Sequence, residues 1–200
     1  MKHLLTLLLF AISYVYYAQH NDLKWTQIEL DSANTADSSL ILNQVEKDAV
    51  KYLNLARLFP KKFAQIELPG YHGTKKYGDY IKGSPYITTL ANHLDTIKPM
   101  SRLIPIDSMI ENARCFAIEM GDSGYTGHER INCKEESKYA ECSSFGMDTG
   151  KDIMMQMLID HNIESLGHRK NCLNPKFQYI GLALHTHTEW GHCCVIELMK

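Results

Sequence analysis

The sequence predicts an α+β domain. Apolar residues recur at helical spacing in four separate segments. The C-terminal end reads instead as two strands joined by a short polar connection. No repeat, low-complexity tract or linker divides the 200 residues, so one domain accounts for them.

The N-terminus stands apart. Lys2 and His3 make a basic start, residues 4–17 carry no charge and are mostly apolar, and Ala18 and Gln19 lead into the polar His20, Asn21 and Asp22. This order predicts a secretory signal peptide over 1–19, cut after Ala18 or Gln19. The apolar run is shorter than the ~20 residues that span a bilayer. No cysteine near the cut could carry a lipid. The expected location is therefore secreted and extracellular, or periplasmic in a bacterium, with no transmembrane segment after cleavage. Residues 20–38 read as a flexible lead-in and 39–200 as the domain.

Leu42, Val45, Ala49, Tyr52, Leu53 and Ala56 form the first helical stripe, which stops at Phe59 and Pro60. Residues 66–84 read as loop, with Gly70, Gly73, Gly78 and Gly83. Ser84 before Pro85 predicts an N-cap and first turn. Leu90, Ala91, Leu94 and Ile97 follow at helical spacing, and Pro99 ends the segment. Ser108 with Glu111 reads as a capping box ahead of Met109, Ala113, Phe116, Ala117 and Met120, with Gly121 as the stop. Thr149 with Asp152 opens a fourth helix over Ile153, Met154, Met157 and Leu158, whose methionines read as core rather than as a groove. Short strands are expected within 121–147. Residues 179–185 and 193–198 read as strands, with 187–191 as the hairpin connection.

The formal net charge of -2 leaves no electrostatic case for nucleic acid or an anionic membrane. All six cysteines lie in the C-terminal half, and a secreted chain would expose them to an oxidising compartment. Cys133 and Cys142 bracket the polar stretch 134–138 and are candidates for a short disulfide staple, with Cys193 and Cys194 as competing partners.

Three segments place a histidine or carboxylate beside glycine-containing backbone: 124–129, 139–146 and 160–171. His128 and Glu129 begin like a zinc-protease helix, but Asn132 stands where a second histidine is needed. His185, His187 and His192 flank the hairpin and read as solvated loop. A Cys142 nucleophile paired with His168 is the weaker reading in an oxidising compartment, where a cysteine is more often in a disulfide.

Several of these segments resemble one family. Asn54 and Arg57 in the first helix, Asn112 to Ala117 in the third, Gly127 with His128, Glu141, the run 165–175 with Gly167, His168, Arg169, Asn171 and Pro175, and the strand around Gly181 are together similar to the CAP superfamily of cysteine-rich secretory proteins, venom antigens and pathogenesis-related proteins. The similarity is closest to the bacterial type and runs from about residue 40 to the end. The sequence departs at Cys142, where the family usually has Asn, and in lacking the Trp before the Gly-His run. The resemblance implies a three-layer α-β-α sandwich with a central, mostly antiparallel sheet. It also implies a cleft lined by two histidines and two acids: His128, His168, Glu141 and Asp160, with Glu164 as the alternative second acid.

Two imidazoles and a carboxylate are ligand types that Zn2+ or another divalent cation takes, here with His128 and His168 as ligands. Without metal, a carboxylate beside each imidazole favours its protonated form. The expected role is binding of an extracellular ligand, with lipid, sterol or partner protein as the classes the resemblance implies. The rival is a metal-assisted hydrolase of peptidase or esterase type, with Glu141 as general base. Oligomeric state is left open. N-terminal sequencing of secreted material should begin near Gln19 or His20. A chain starting at Met1 in a membrane fraction would refute cleavage.

Overall fold

A computed structural model describes residues 23–134, 136 and 138–200. The predicted signal peptide and the first residues of the lead-in lie outside the described residues. The elements are α1 (Gln27–Ala33), α2 (Gln44–Leu58), α3 (Pro60–Glu67), a 3-10 turn (Lys75–Tyr77), α4 (Pro85–Thr96), β1 (Ile104–Pro105), α5 (Asp107–Ser123), β2 (Ala140–Phe145), α6 (Gly150–Ile159), α7 (Gly167–Cys172), β3 (Tyr179–His187) and β4 (Gly191–Met199).

The fold is α+β. Its sheet runs β1-β3-β4-β2, with β1 parallel to β3 and the other pairs antiparallel. Side chains alternate along the strands and so divide the core in two. Ile180, Leu182, Cys194, Ile196 and Leu198 join Val50 and Leu53 of α2 and Ile153, Met154 and Leu158 of α6. Ala183, Cys193 and Val195 face the other way, onto Ala113, Phe116, Ala117 and Met120 of α5. Helices thus cover both faces. Gly181 makes the second contact close, because a Cβ there would lie 2.3 Å from the Met109 backbone.

Several local expectations need correction. The lead-in read as flexible contains α1, opened by a capping box between Thr26 and Glu29. Ala33 and Ala36 are fully buried, so tertiary packing holds this segment. Pro60 does end α2, but it also starts α3 as an N1 proline, in a stretch read partly as loop. Ser108 does not cap α5; the helix already begins at Asp107, and its N-cap residue Ile106 makes no side-chain cap. β1 and α7 are too short to show a periodicity. By contrast, Ser84 and Thr149 cap α4 and α6 as expected. The methionines of α6 are buried, but Met155 and Met157 also line a cavity, so only Met154 is plain core. Among the described residues no helix is long and apolar enough to cross a membrane.

Two polar side chains of α2 tie distant backbone together. Asn54 is fully buried; it accepts from Leu103 N at 2.7 Å and donates to the Ala33 and Leu103 carbonyls at 3.1 Å. Arg57 is also fully buried and donates to the carbonyls of Ser101, Cys172, Asn174 and Phe177 at 2.8–3.1 Å. Burial lowers its pKa to about 10, so it stays a cation at neutral pH. Arg57→Met keeps much of the volume and leaves these carbonyls without a donor. It should destabilise the fold by about 3 kcal/mol or more, read as a fall in the urea midpoint. An unchanged midpoint would show that the carbonyls find other partners.

Candidate functional site

The site lies where the loop after α5, the edge strand β2 and the α6–α7 connection meet. Each brings one or two polar side chains, and each is held by a different device.

The loop after α5 is anchored to that helix along one helical face. Gly124 ends α5 in the left-handed conformation, with φ of 72°. Glu119 then accepts from the backbone N–H groups of Ile131, Asn132 and Cys133 at 2.5, 2.9 and 3.1 Å. A disulfide joins Cys115 to Cys133. This corrects the expected Cys133–Cys142 pair. Cys133 packs with the α5 layer, whereas Cys142 points from β2 into the opposite core layer and is a free, buried thiol. Strand alternation separates the two sulfurs.

The clasped loop delivers His128 and Arg130 to β2. His128 Nδ1 lies 2.7 Å from Glu141 Oε1. Arg130 binds the other Glu141 oxygen and reaches Glu197 Oε1 at 2.7 Å. Glu141 and Glu197 sit directly opposite each other on β2 and β4, so one guanidinium serves a cross-strand carboxylate pair. Arg130 also donates to Asn112 Oδ1 at 2.7 Å and lies 4.4 Å from the centre of the Phe116 ring. Burial pushes the Glu197 pKa up to about 7, against the pull of Arg130. Its second oxygen is buried without a partner among the described residues.

The second pair forms at the end of α6. Asp160 caps that helix in the left-handed region, φ 55°, which aspartate tolerates better than most residues. Its buried carboxylate turns toward α7, with His168 Nδ1 at 2.7 Å from Oδ1 and Arg169 N donating to Oδ2 at 3.2 Å. Arg169 fixes the corner further through the Leu158 and Ile159 carbonyls, both at 2.7 Å. Glu164, the alternative acid, is exposed.

The structure therefore brings His128, Glu141, Asp160 and His168 together as two imidazole–carboxylate pairs. Between them opens a cavity of about 380 Å3. Tyr80, Ile81, Phe145, Met157 and Ile159 supply apolar wall, while His128, Ser143, His161 and His168 supply polar groups. The Ser143 hydroxyl is buried there with no partner among the described residues. His161 Nδ1 lies 2.9 Å from Ser84 Oγ, and Tyr80 and Tyr86 meet its ring edge-on.

Each pair leaves Nε2 as the open imidazole nitrogen. Among the described residues no group of three or more His, Cys, Asp or Glu side chains is placed to hold a metal ion. The donor set suits a divalent cation only in an open form, with His128 Nε2 and His168 Nε2 as protein ligands and the carboxylates orienting them from behind.

Sequence reasoning missed Arg130, Glu197, Ser143 and His161. Glu197 carried a signal, since it falls in the same alternation as the buried Cys193 and Val195. Arg130 carried none, because its partners are remote in the chain. The hairpin histidines were misjudged in part. His187 is buried, with Nδ1 accepting from Glu189 N and Trp190 N at 3.2 Å and Nε2 donating to Tyr125 O at 3.1 Å. It is a structural histidine that closes the hairpin over the α5 loop.

No protein-family model matches the sequence, and no curated protein matches it.

The hydrogen bond to Glu141 raises the His128 pKa, and the hydrogen bond to Asp160 raises that of His168; burial opposes both. Each group raised on folding contributes stability in full below its unfolded pKa and loses it as pH rises through the folded value. Glu197 adds a loss of the same sign, complete above about 7. Stability should therefore fall between about pH 5 and 8 on account of these three groups. Imidazole proton shifts followed across pH should place both histidines above the ordinary range. Asp160→Asn should lower the His168 midpoint while sparing His128. Equal movement of both midpoints would refute two separate pairs.

Proposed function

We propose that this chain is a secreted CAP-type binding protein whose cleft takes a lipid-like extracellular ligand with an anionic head and an apolar body. The observation that carries the reading is the juxtaposition of two carboxylate-oriented imidazoles with an apolar-walled cavity. The carboxylates behind His128 and His168 raise both imidazole pKa values and so favour the form that offers a charged N–H to the cavity. The apolar side chains accept what a charged head alone would not need. The CAP resemblance supports the same class of ligand. Secretion is supported by the order of residues 1–19, and the Cys115–Cys133 disulfide fits an oxidising compartment.

Binding is favoured over hydrolysis because Glu141 is engaged at both oxygens, by His128 and Arg130, and orients rather than abstracts a proton. A divalent cation, if taken up, would be held by His128 Nε2 and His168 Nε2 and would supply a Lewis acid facing the ligand head. The residues of the chain would then orient the imidazoles and wall off the apolar portion.

Displacement of a fluorescent long-chain carboxylate tests the reading, run with and without a chelator. His128→Ala and His168→Ala should each weaken binding about 10-fold or more. Binding at parent affinity in the double-histidine variant would overturn the proposal, as would failure of the parent to bind the probe.

A further inference from the structure

Two free thiols lie under this cleft. Cys142 sits on β2 between Glu141 and Ser143, but its side chain enters the core layer opposite theirs and is fully buried. Cys172 ends α7, the helix that carries His168, and is fully buried in the same layer. The two thiols lie near enough to shift each other's pKa, and α7 rests directly on β2. Asn171 Nδ2 spans the same seam, 3.7 Å from Cys142 Sγ and 3.5 Å from Glu141 O. The burial of Cys142 on the far face of β2 removes it as a nucleophile toward a ligand in the cleft. It leaves Cys142 in the layer that holds Cys172.

We infer that Cys142 and Cys172 are a modification site: they close a second disulfide that cross-links β2 to α7 beneath the two imidazole–carboxylate pairs. The co-reactant is an external disulfide, either small-molecule or on a thiol oxidoreductase. The Cys142 thiolate attacks one sulfur of that disulfide, and its other half leaves as a thiolate. Cys172 then loses its proton and attacks Cys142 Sγ in the mixed disulfide, expelling the second thiolate. The protein loses two electrons and two protons, and the co-reactant is reduced to two thiols. The order of attack follows from the pair. The neighbouring Cys172 thiol lowers the Cys142 pKa against the effect of burial, while Cys142 and burial together raise that of Cys172. That restraint on Cys172 ends once Cys142 is in the mixed disulfide.

Access requires local opening, and the seam suits it. α7 is a six-residue helix resting against β2, which lies at the edge of the sheet. Cys193 and Cys194 have no comparable arrangement. They are consecutive on β4, point into opposite layers, and Cys193 donates to Ala117 O. Once closed, the new bond lies next to Glu141 in the chain and about one helical turn from His168. It would fix the spacing of the two halves of the cleft.

The test uses the full secreted chain, fully reduced and then held in a buffer of oxidised and reduced glutathione. It is alkylated in denaturant and mapped without reduction, with return of Cys115–Cys133 as the internal control. The expected product is a peptide pair joining Cys142 to Cys172 at two hydrogens less than their sum, with Cys193 and Cys194 alkylated. In Cys172→Ala, Cys142 should stop at a mixed disulfide with glutathione. Either alanine variant could fold poorly, so the mapping of the unsubstituted chain decides alone. Closure should also raise its Tm, reversibly on addition of dithiothreitol. The inference is overturned if Cys142 and Cys172 are both alkylated after Cys115–Cys133 has re-formed. It is equally overturned if either is joined to Cys193 or Cys194.

Discussion

The buried Arg57 guanidinium is the constraint on which the rest of the structure depends. It has no carboxylate partner among the described residues; backbone carbonyls surround it instead. Those carbonyls belong to the segment before β1, the end of α7 and the turn into β3. One side chain thereby sets where α7 stops and where the central strand begins. A cation dissolved in carbonyl dipoles tolerates little displacement, because moving any segment leaves a donor or an acceptor unmatched in a low-dielectric interior. Asn54, one turn earlier on α2, does the same for the α1 end and for Leu103.

The two halves of the site hang from this frame by separate routes. His168 sits on a helix whose C-terminal carbonyls are held by Arg57 and whose opening corner is held by Arg169 and Asp160. His128 sits on a loop without regular structure, and its position depends on Glu119, the Cys115–Cys133 bond and Arg130. The first half is built into the core, while the second is clasped onto the surface of α5. Exposure follows the difference: the Asp160 side chain is 1% exposed and His128 is 59% exposed. Solvent therefore screens the His128–Glu141 pair much more than its counterpart.

Electrostatics links the halves. Arg130 neutralises one of two carboxylates placed opposite each other across β2 and β4, and burial leaves Glu197 as the one that protonates near neutrality. Glu141 is shared, one oxygen with Arg130 and the other with His128. The guanidinium is a second cation close to the imidazole.

The sequence by itself determined the α+β class, most of α2, α4, α5 and α6, and the terminal hairpin; the family resemblance offered His128, Glu141 and His168 as candidates, with Asp160 or Glu164 as the second acid. The class and the elements rest on local signals: helical spacing, caps at Ser84 and Thr149, and strand alternation. Tertiary structure alone decided which acid meets which histidine, because Glu164 is nearer to His168 in the chain than Asp160 is, yet the left-handed turn at Asp160 aims Asp160 inward and leaves Glu164 exposed. It alone decided the cysteine pairing, because the side of β2 on which Cys142 falls depends on strand register. It alone placed Arg130 between Glu141 and Glu197, on strands far apart in sequence. α1, β1 and α7 were illegible for the same reason: each is too short to carry a period, and each owes its conformation to contacts made across the fold.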